Sequence, residues 1–118
     1  MIKKRIKSFF YAFKGIGDLL SGRHPNALIH LLAIIVVTSA GLYFDLNVSE
    51  WCIVVLCFGL VLSLEAVNSA LEYIVDLASP NQHPLAGKAK DMAAGAVLIA
   101  ALTTIIIAAI IFIPKIFA

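Results

Sequence analysis

Glu65, Asn68, Glu72 and Asp76 recur at intervals of three, four and four residues, and Lys90 and Asp91 follow across a Pro-containing segment. On a helix that spacing places the first four in a stripe of roughly 60° to 80° extending about 16 Å. A polar seam of this kind can coordinate a hard divalent cation through carboxylate oxygens and leave a deeper carboxylate free as a base. The chain around it is 62% hydrophobic, and on insertion scales an Asp or Lys at the centre of a spanning helix costs about 2.5 to 3.5 kcal/mol. Acids in such a place are functional candidates by default. A structural alternative stays open, in which the groups end two helices at the membrane surface and pair with one another. That alternative accounts for Asp76 and Lys88 better than for Glu65, which lies about three turns before the loop.

The elements that must hold these residues follow from composition. With 118 residues, 14% of them charged, and a mean hydropathy of +1.02, the chain reads as one small integral membrane domain over residues 1–118. Three apolar runs are long enough to span a bilayer, at residues 27–44, 51–75 and 92–113. Residues 1–23 precede them as an interfacial helix. Ile2, Ile6, Phe9, Phe13, Ile16 and Leu20 fall on one of its faces, and Lys3, Lys7, Lys14 and Asp18 on the other. The expected fold is therefore an all-α membrane protein, with an N-terminal amphipathic surface helix and three transmembrane helices. Gly15, Gly17 and Gly22 are expected to relax the surface helix where it turns toward the first span, and Pro80 and Pro84 to interrupt helix between the second and third. Cys52 and Cys57 have no metal-binding neighbours and read as packing residues.

Lys and Arg concentrate before the first span, with Lys88 and Lys90 in the second loop and Lys115 alone after the third span. By the positive-inside rule the N-terminus and the acidic seam face the cytoplasm and the C-terminus lies outside. The basic residues match no nucleic-acid-binding motif, so they are assigned to the membrane surface and nucleic acid is excluded as a partner. No soluble nucleotide-binding loop of the G-x-x-x-x-G-K-S/T type is present.

Glu65-Ala-Val-Asn-Ser-Ala-Leu-Glu72, then Asp76, then Ala89-Lys-Asp-Met-Ala-Ala-Gly-Ala-Val97 resembles the signature of the prokaryotic diacylglycerol kinase family, which includes undecaprenol kinases. The pattern E-x-x-N-S/T-A-x-E-x-x-x-D, followed by A-K-D-x-x-A/S-A/G-A-V, is long, and the resemblance covers almost the whole chain. It implies phosphoryl transfer from MgATP to a membrane lipid alcohol in the bacterial inner membrane, with diacylglycerol as the first substrate and undecaprenol as the alternative. It also implies roles: Glu65 as general base, Asn68 as an orienting group, Glu72 as a ligand of Mg²⁺, Lys90 at the ATP phosphates, and Asp76 and Asp91 on the nucleotide side. A homotrimer with shared sites is implied too, and the small residues Ala93, Ala94, Gly95, Ala96, Ala100 and Ala101 suit close helix packing in lipid. One departure stands out. Many family members carry E-x-N-x-R-I-H at the start of the first span, whereas this chain has His24-Pro-Asn-Ala-Leu-Ile-His30, so that His24 stands where the resemblance implies a second metal-binding Glu and Leu28 where it implies an Arg. Neutral imidazole suits Mg²⁺ poorly. His30 reads as a polar group at a helix start. Outside the resemblance, a small ion-coupled transporter and a non-catalytic membrane subunit are the competing classes. A transporter would place its acid near the membrane midplane, whereas these acids cluster at one end.

Overall fold

The computed structural model describes residues 1–118, which form four helices and no strand. Helix α1 spans Ile2–Leu19, α2 Pro25–Tyr43, α3 Val48–Ala78 and α4 Pro84–Ile116. The last three are each long and apolar enough to cross a bilayer, and α1 is shorter and amphipathic. The chain is an all-α membrane protein of the expected kind. Large apolar side chains stay exposed along all three long helices, Ile35, Leu56, Ile99 and Ile110 among them. Surface of that extent is unusual in a soluble monomer and suits a lipid solvent.

Local chemistry explains where the helices begin. Pro25 and Pro84 stand in the first turns of α2 and α4, where the missing N–H is not needed and the fixed φ is already helical. Pro84 therefore starts a helix as well as ending the loop. The His83 ring caps it, with Nδ1 accepting from the backbone N–H of Leu85 at 3.1 Å. Asn47 and Glu50 form a reciprocal capping box at the start of α3, with bonds of 2.9 and 3.0 Å. Glu50 also pairs with Lys115 at 3.3 Å, tying the start of α3 to the end of α4. The glycine reading needs correction at two of three positions. Gly15 and Gly17 lie inside an unbroken α1, and the turn falls at Gly22, whose φ of 92° suits a residue without Cβ.

Packing centres on α3. Helix α4 runs along it, α2 touches it over a shorter stretch, and α1 rests on it. Ala93, Val97 and Ala100 form the buried seam of α4, so part of its small-residue face is used within the chain. At the far end from the acids, Leu46, Val54 and Ile111 form a core with Trp51, Phe58 and Phe112 around it. Gly41 admits Trp51 there, since a Cβ at that position would lie 2.6 Å from the ring. Gly41→Ala should destabilise the fold by about 1 to 3 kcal/mol through overpacking, read as a lower midpoint of unfolding in detergent. An unchanged midpoint would show that the Trp51 ring shifts at no cost.

Candidate active site

The seam on α3 runs from buried to exposed. Glu65 and Asn68 are 2% and 5% accessible, whereas Glu72 and Asp76 stand open near the end of the helix. The Asn68 amide donates to Glu72 Oε1 at 3.5 Å, so the two form one unit a turn apart. Glu65 Oε2 and Asn68 Oδ1 are buried and have no hydrogen-bond partner. An unpaired buried polar atom costs about 1 to 3 kcal/mol, so two neighbouring ones set this part of the seam apart from the rest of the helix. Beyond Glu72, Lys90 of α4 forms an ion pair with Asp76 across the loop. These two border a polar cleft of about 620 Å³ lined also by Ser79, Asn81, Gln82 and His83. Asp91 is exposed at the start of α4 and forms no ion pair. The structure thus brings together Glu65, Asn68 and Glu72, and separately Asp76 and Lys90.

His24 has other company. Its Nε2 lies 3.1 Å from the Tyr73 hydroxyl and 3.5 Å from Asp18 Oδ2, and the Tyr73 hydroxyl donates to the same Asp18 oxygen at 3.0 Å. The Nε2 is thus turned to α1 and Tyr73. This triad pins α1 to α3, and Asp18, His24 and Tyr73 border a cavity of about 320 Å³ together with Gly15 and Ile16. Neither Asp18 nor Tyr73 was singled out as a site residue by sequence reasoning. A lone acid on a basic helix was the available signal. The hydrogen bond from Tyr73, and next that from His24, holds the Asp18 carboxyl below the usual carboxylate range. A lowered value means that the contact contributes fully above the ordinary Asp range and is lost as pH falls through the lowered one. In Tyr73→Phe the main cause of the lowering is gone, so α1 should release at a higher pH than in the wild type. Hydrogen exchange of α1 against pH would show this, and coincident curves for the two proteins would remove Tyr73 from the dock.

His30 is also more than a helix-start polar group. Its Nε2 lies 3.6 Å from Glu65 Oε2, beyond a good hydrogen bond but within ion-pair reach if the ring is protonated. It faces Glu65 from α2.

Comparison with known proteins places the chain in a family. The family described as prokaryotic diacylglycerol kinase matches residues 10–112. The chain therefore belongs to the prokaryotic diacylglycerol kinase family, whose class is the membrane lipid kinase, with ATP as a substrate. It is 40% identical over 114 residues to the undecaprenol kinase of Bacillus subtilis, an alignment covering 97% of this chain and 92% of that one. The diacylglycerol kinase of Escherichia coli is 31% identical over 104 residues, covering 86% and 82%. That of Synechocystis is 36% identical over 108 residues, covering 91% of this chain and 61% of the longer relative.

Proposed function

We propose that this chain transfers the γ-phosphoryl group of ATP to the hydroxyl of undecaprenol, at the cytoplasmic face of a bacterial inner membrane. The observation that carries the reading is the orphaned pair of acceptors at Glu65 and Asn68, about two turns and one turn below the exposed carboxylate of Glu72 on a helix long and apolar enough to cross a bilayer. Phosphoryl transfer asks chiefly for positioning and charge neutralisation, which such a graded seam supplies. Glu65 is the base end of the site, on the lipid side, and Asn68 orients the groups around it. Lys90, with Asp76 beside it, serves the phosphates from the loop cleft, and Asp91 completes the nucleotide side. The oxygen of the alcohol attacks the γ-phosphorus as its proton leaves toward Glu65, and ADP departs toward the cytoplasm.

Mg²⁺ fits the residues present in one way. Glu72 is an exposed carboxylate whose partner is a single long amide contact, and Mg²⁺ is commonly held by one or two carboxylates with phosphates and water. Bound there with ATP, it would neutralise phosphate charge. In this reading Glu72, the phosphates and water make up the set, and the His24 Nε2 is engaged by Asp18 and Tyr73 instead.

The choice of undecaprenol rests on the near full-length similarity to the Bacillus subtilis enzyme. Diacylglycerol, the substrate expected first from the family signature, is the second reading, favoured by the Escherichia coli and Synechocystis relatives. Parallel rates of ADP release with the two alcohols in the same bicelles decide between them. A higher kcat/KM for undecaprenol supports the reading, and a higher value for diacylglycerol reverses it.

A homotrimer with sites shared between neighbours completes the proposal, supported by the apolar faces of α2 and α4 that no helix of the same chain covers. Inactive Glu65→Gln protein mixed with inactive Lys90→Ala protein should then regain measurable ADP release. No recovery after demonstrated subunit exchange would confine each site to one chain.

A further inference from the structure

Three polar side chains of this protein are buried, Glu65, Asn68 and Ser69, and all lie within two turns of α3. At 100° per residue Asn68 stands about 60° to one side of Glu65 and Ser69 about 40° to the other. Serine and threonine hydroxyls inside helices often turn back to the carbonyl four residues earlier, as those of Ser39, Thr103 and Thr104 do. The Ser69 hydroxyl makes no such bond, nor any other within the chain, although the residue is only 6% accessible. It meets open space instead. Ser69 lines the cavity of about 320 Å³ between α1 and α3, with Ala66 and Ala70 of its own helix and Ala12, Gly15 and Ile16 of α1. Small residues keep that space clear: a Cβ added at Gly15 would meet nothing within 4 Å. The volume is several times the roughly 30 Å³ that one water takes in the liquid, enough for the end of an organic chain.

We propose, on the basis of the lipid kinase reading, that Ser69 binds the acceptor hydroxyl of the lipid alcohol, and that the cavity between α1 and α3 takes the end of the lipid that carries it. Residues four apart on a helix have their Cβ atoms about 5 to 6 Å apart. An oxygen atom hydrogen-bonded to both side chains at about 2.7 to 2.8 Å fits that gap. The hydrogen-bonding senses are complementary as well. Ser69 has an O–H to give, the Glu65 carboxylate only accepts, and an alcohol hydroxyl does one of each. The alcohol oxygen accepts from Ser69 and donates to Glu65, which gives the Ser69 hydroxyl and the unpartnered Glu65 carboxylate a partner at once. In the transfer the second lone pair of that oxygen forms the bond to the γ-phosphorus, and its proton passes to Glu65. The bond from the phosphorus to the β,γ-bridging oxygen breaks, its electron pair leaving with ADP. Ser69 keeps its own proton throughout. Its part is to fix the acceptor oxygen, so its loss falls on the lipid and not on the nucleotide.

Steady-state rates of undecaprenol phosphorylation in bicelles test this with Ser69→Ala and Ser69→Thr. Removing the hydroxyl should lower kcat/KM for the lipid by about 10-fold, the worth of one hydrogen bond, with the KM for MgATP unchanged. Ser69→Thr keeps the hydroxyl and should restore most of the rate. A Ser69→Ala protein that matches the wild type, a loss confined to the KM for MgATP, or a Thr variant as impaired as the Ala variant overturns the proposal. Alkylation of Ser69→Cys by N-ethylmaleimide reads the cavity without turnover, with mass spectrometry separating the new thiol from Cys52 and Cys57. Undecaprenol should slow that labelling, and ADP should not. Labelling that undecaprenol leaves unchanged, or no labelling in its absence, overturns the proposal even where Ser69→Ala fails to fold. A wild type without lipid-dependent ADP release would sink the kinase reading itself, a different result from an active wild type matched by Ser69→Ala.

Discussion

Glu65→Gln should lower turnover by roughly 10²- to 10⁴-fold, the range associated with a general base, while the KM for MgATP stays near its wild-type value. The substitution keeps the size and shape of the side chain, removes its negative charge and exchanges one acceptor oxygen for an NH2 donor. Glu65 is buried one turn before Asn68, whereas the exposed end of the seam begins at Glu72. Charge removed at that depth weakens the base end of the reaction and leaves the phosphate end intact. Folding should not suffer, since the Oε2 of Glu65 has no hydrogen bond to lose. A rate within a few-fold of wild type would leave Glu65 as a packing residue and end the assignment.

Glu72→Gln should fail differently. Its carboxylate is the first exposed member of the seam after Asn68 and accepts from the Asn68 amide at 3.5 Å. With the charge gone, MgATP loses an anionic oxygen ligand, so activity should fall by about 10²-fold at ordinary Mg²⁺ and recover in part as Mg²⁺ is raised. The dependence on lipid should change little. A Mg²⁺ titration that overlays the wild type, or a loss expressed only in the KM for lipid, would remove Glu72 from the metal. The pair of variants separates the two ends of one seam, which the alternative of interchangeable interfacial acids does not do.

The seam was legible in the sequence because charges in an apolar run stand out and because their three- and four-residue intervals match a helix. The three long helices were legible for the same reason, although hydropathy alone placed the second at 51–75 while α3 runs from Val48 to Ala78. The added residues are 48–50, made helical by the Asn47 capping box, and 76–78, which continue the helix to its Ser79 cap. Contacts between distant segments were not legible. His24 meeting Tyr73, and His30 meeting Glu65, depend on how α1 and α2 are rotated against α3, and no local spacing encodes that rotation. The glycines illustrate the same limit. Gly15, Gly17 and Gly22 look alike in sequence, yet only Gly22 adopts the left-handed backbone that requires one.

The central claim is that the seam from Glu65 to Asp76 moves a phosphoryl group from ATP to a lipid hydroxyl. Its most direct test is to incubate purified wild-type protein in bicelles with γ-labelled ATP, Mg²⁺ and undecaprenol, then follow the label into the organic phase. The account predicts label in a phosphorylated lipid in proportion to ADP formed, and none above background with Glu65→Gln. ATP hydrolysis that leaves the label in inorganic phosphate, or lipid labelling that survives Glu65→Gln unchanged, would contradict it.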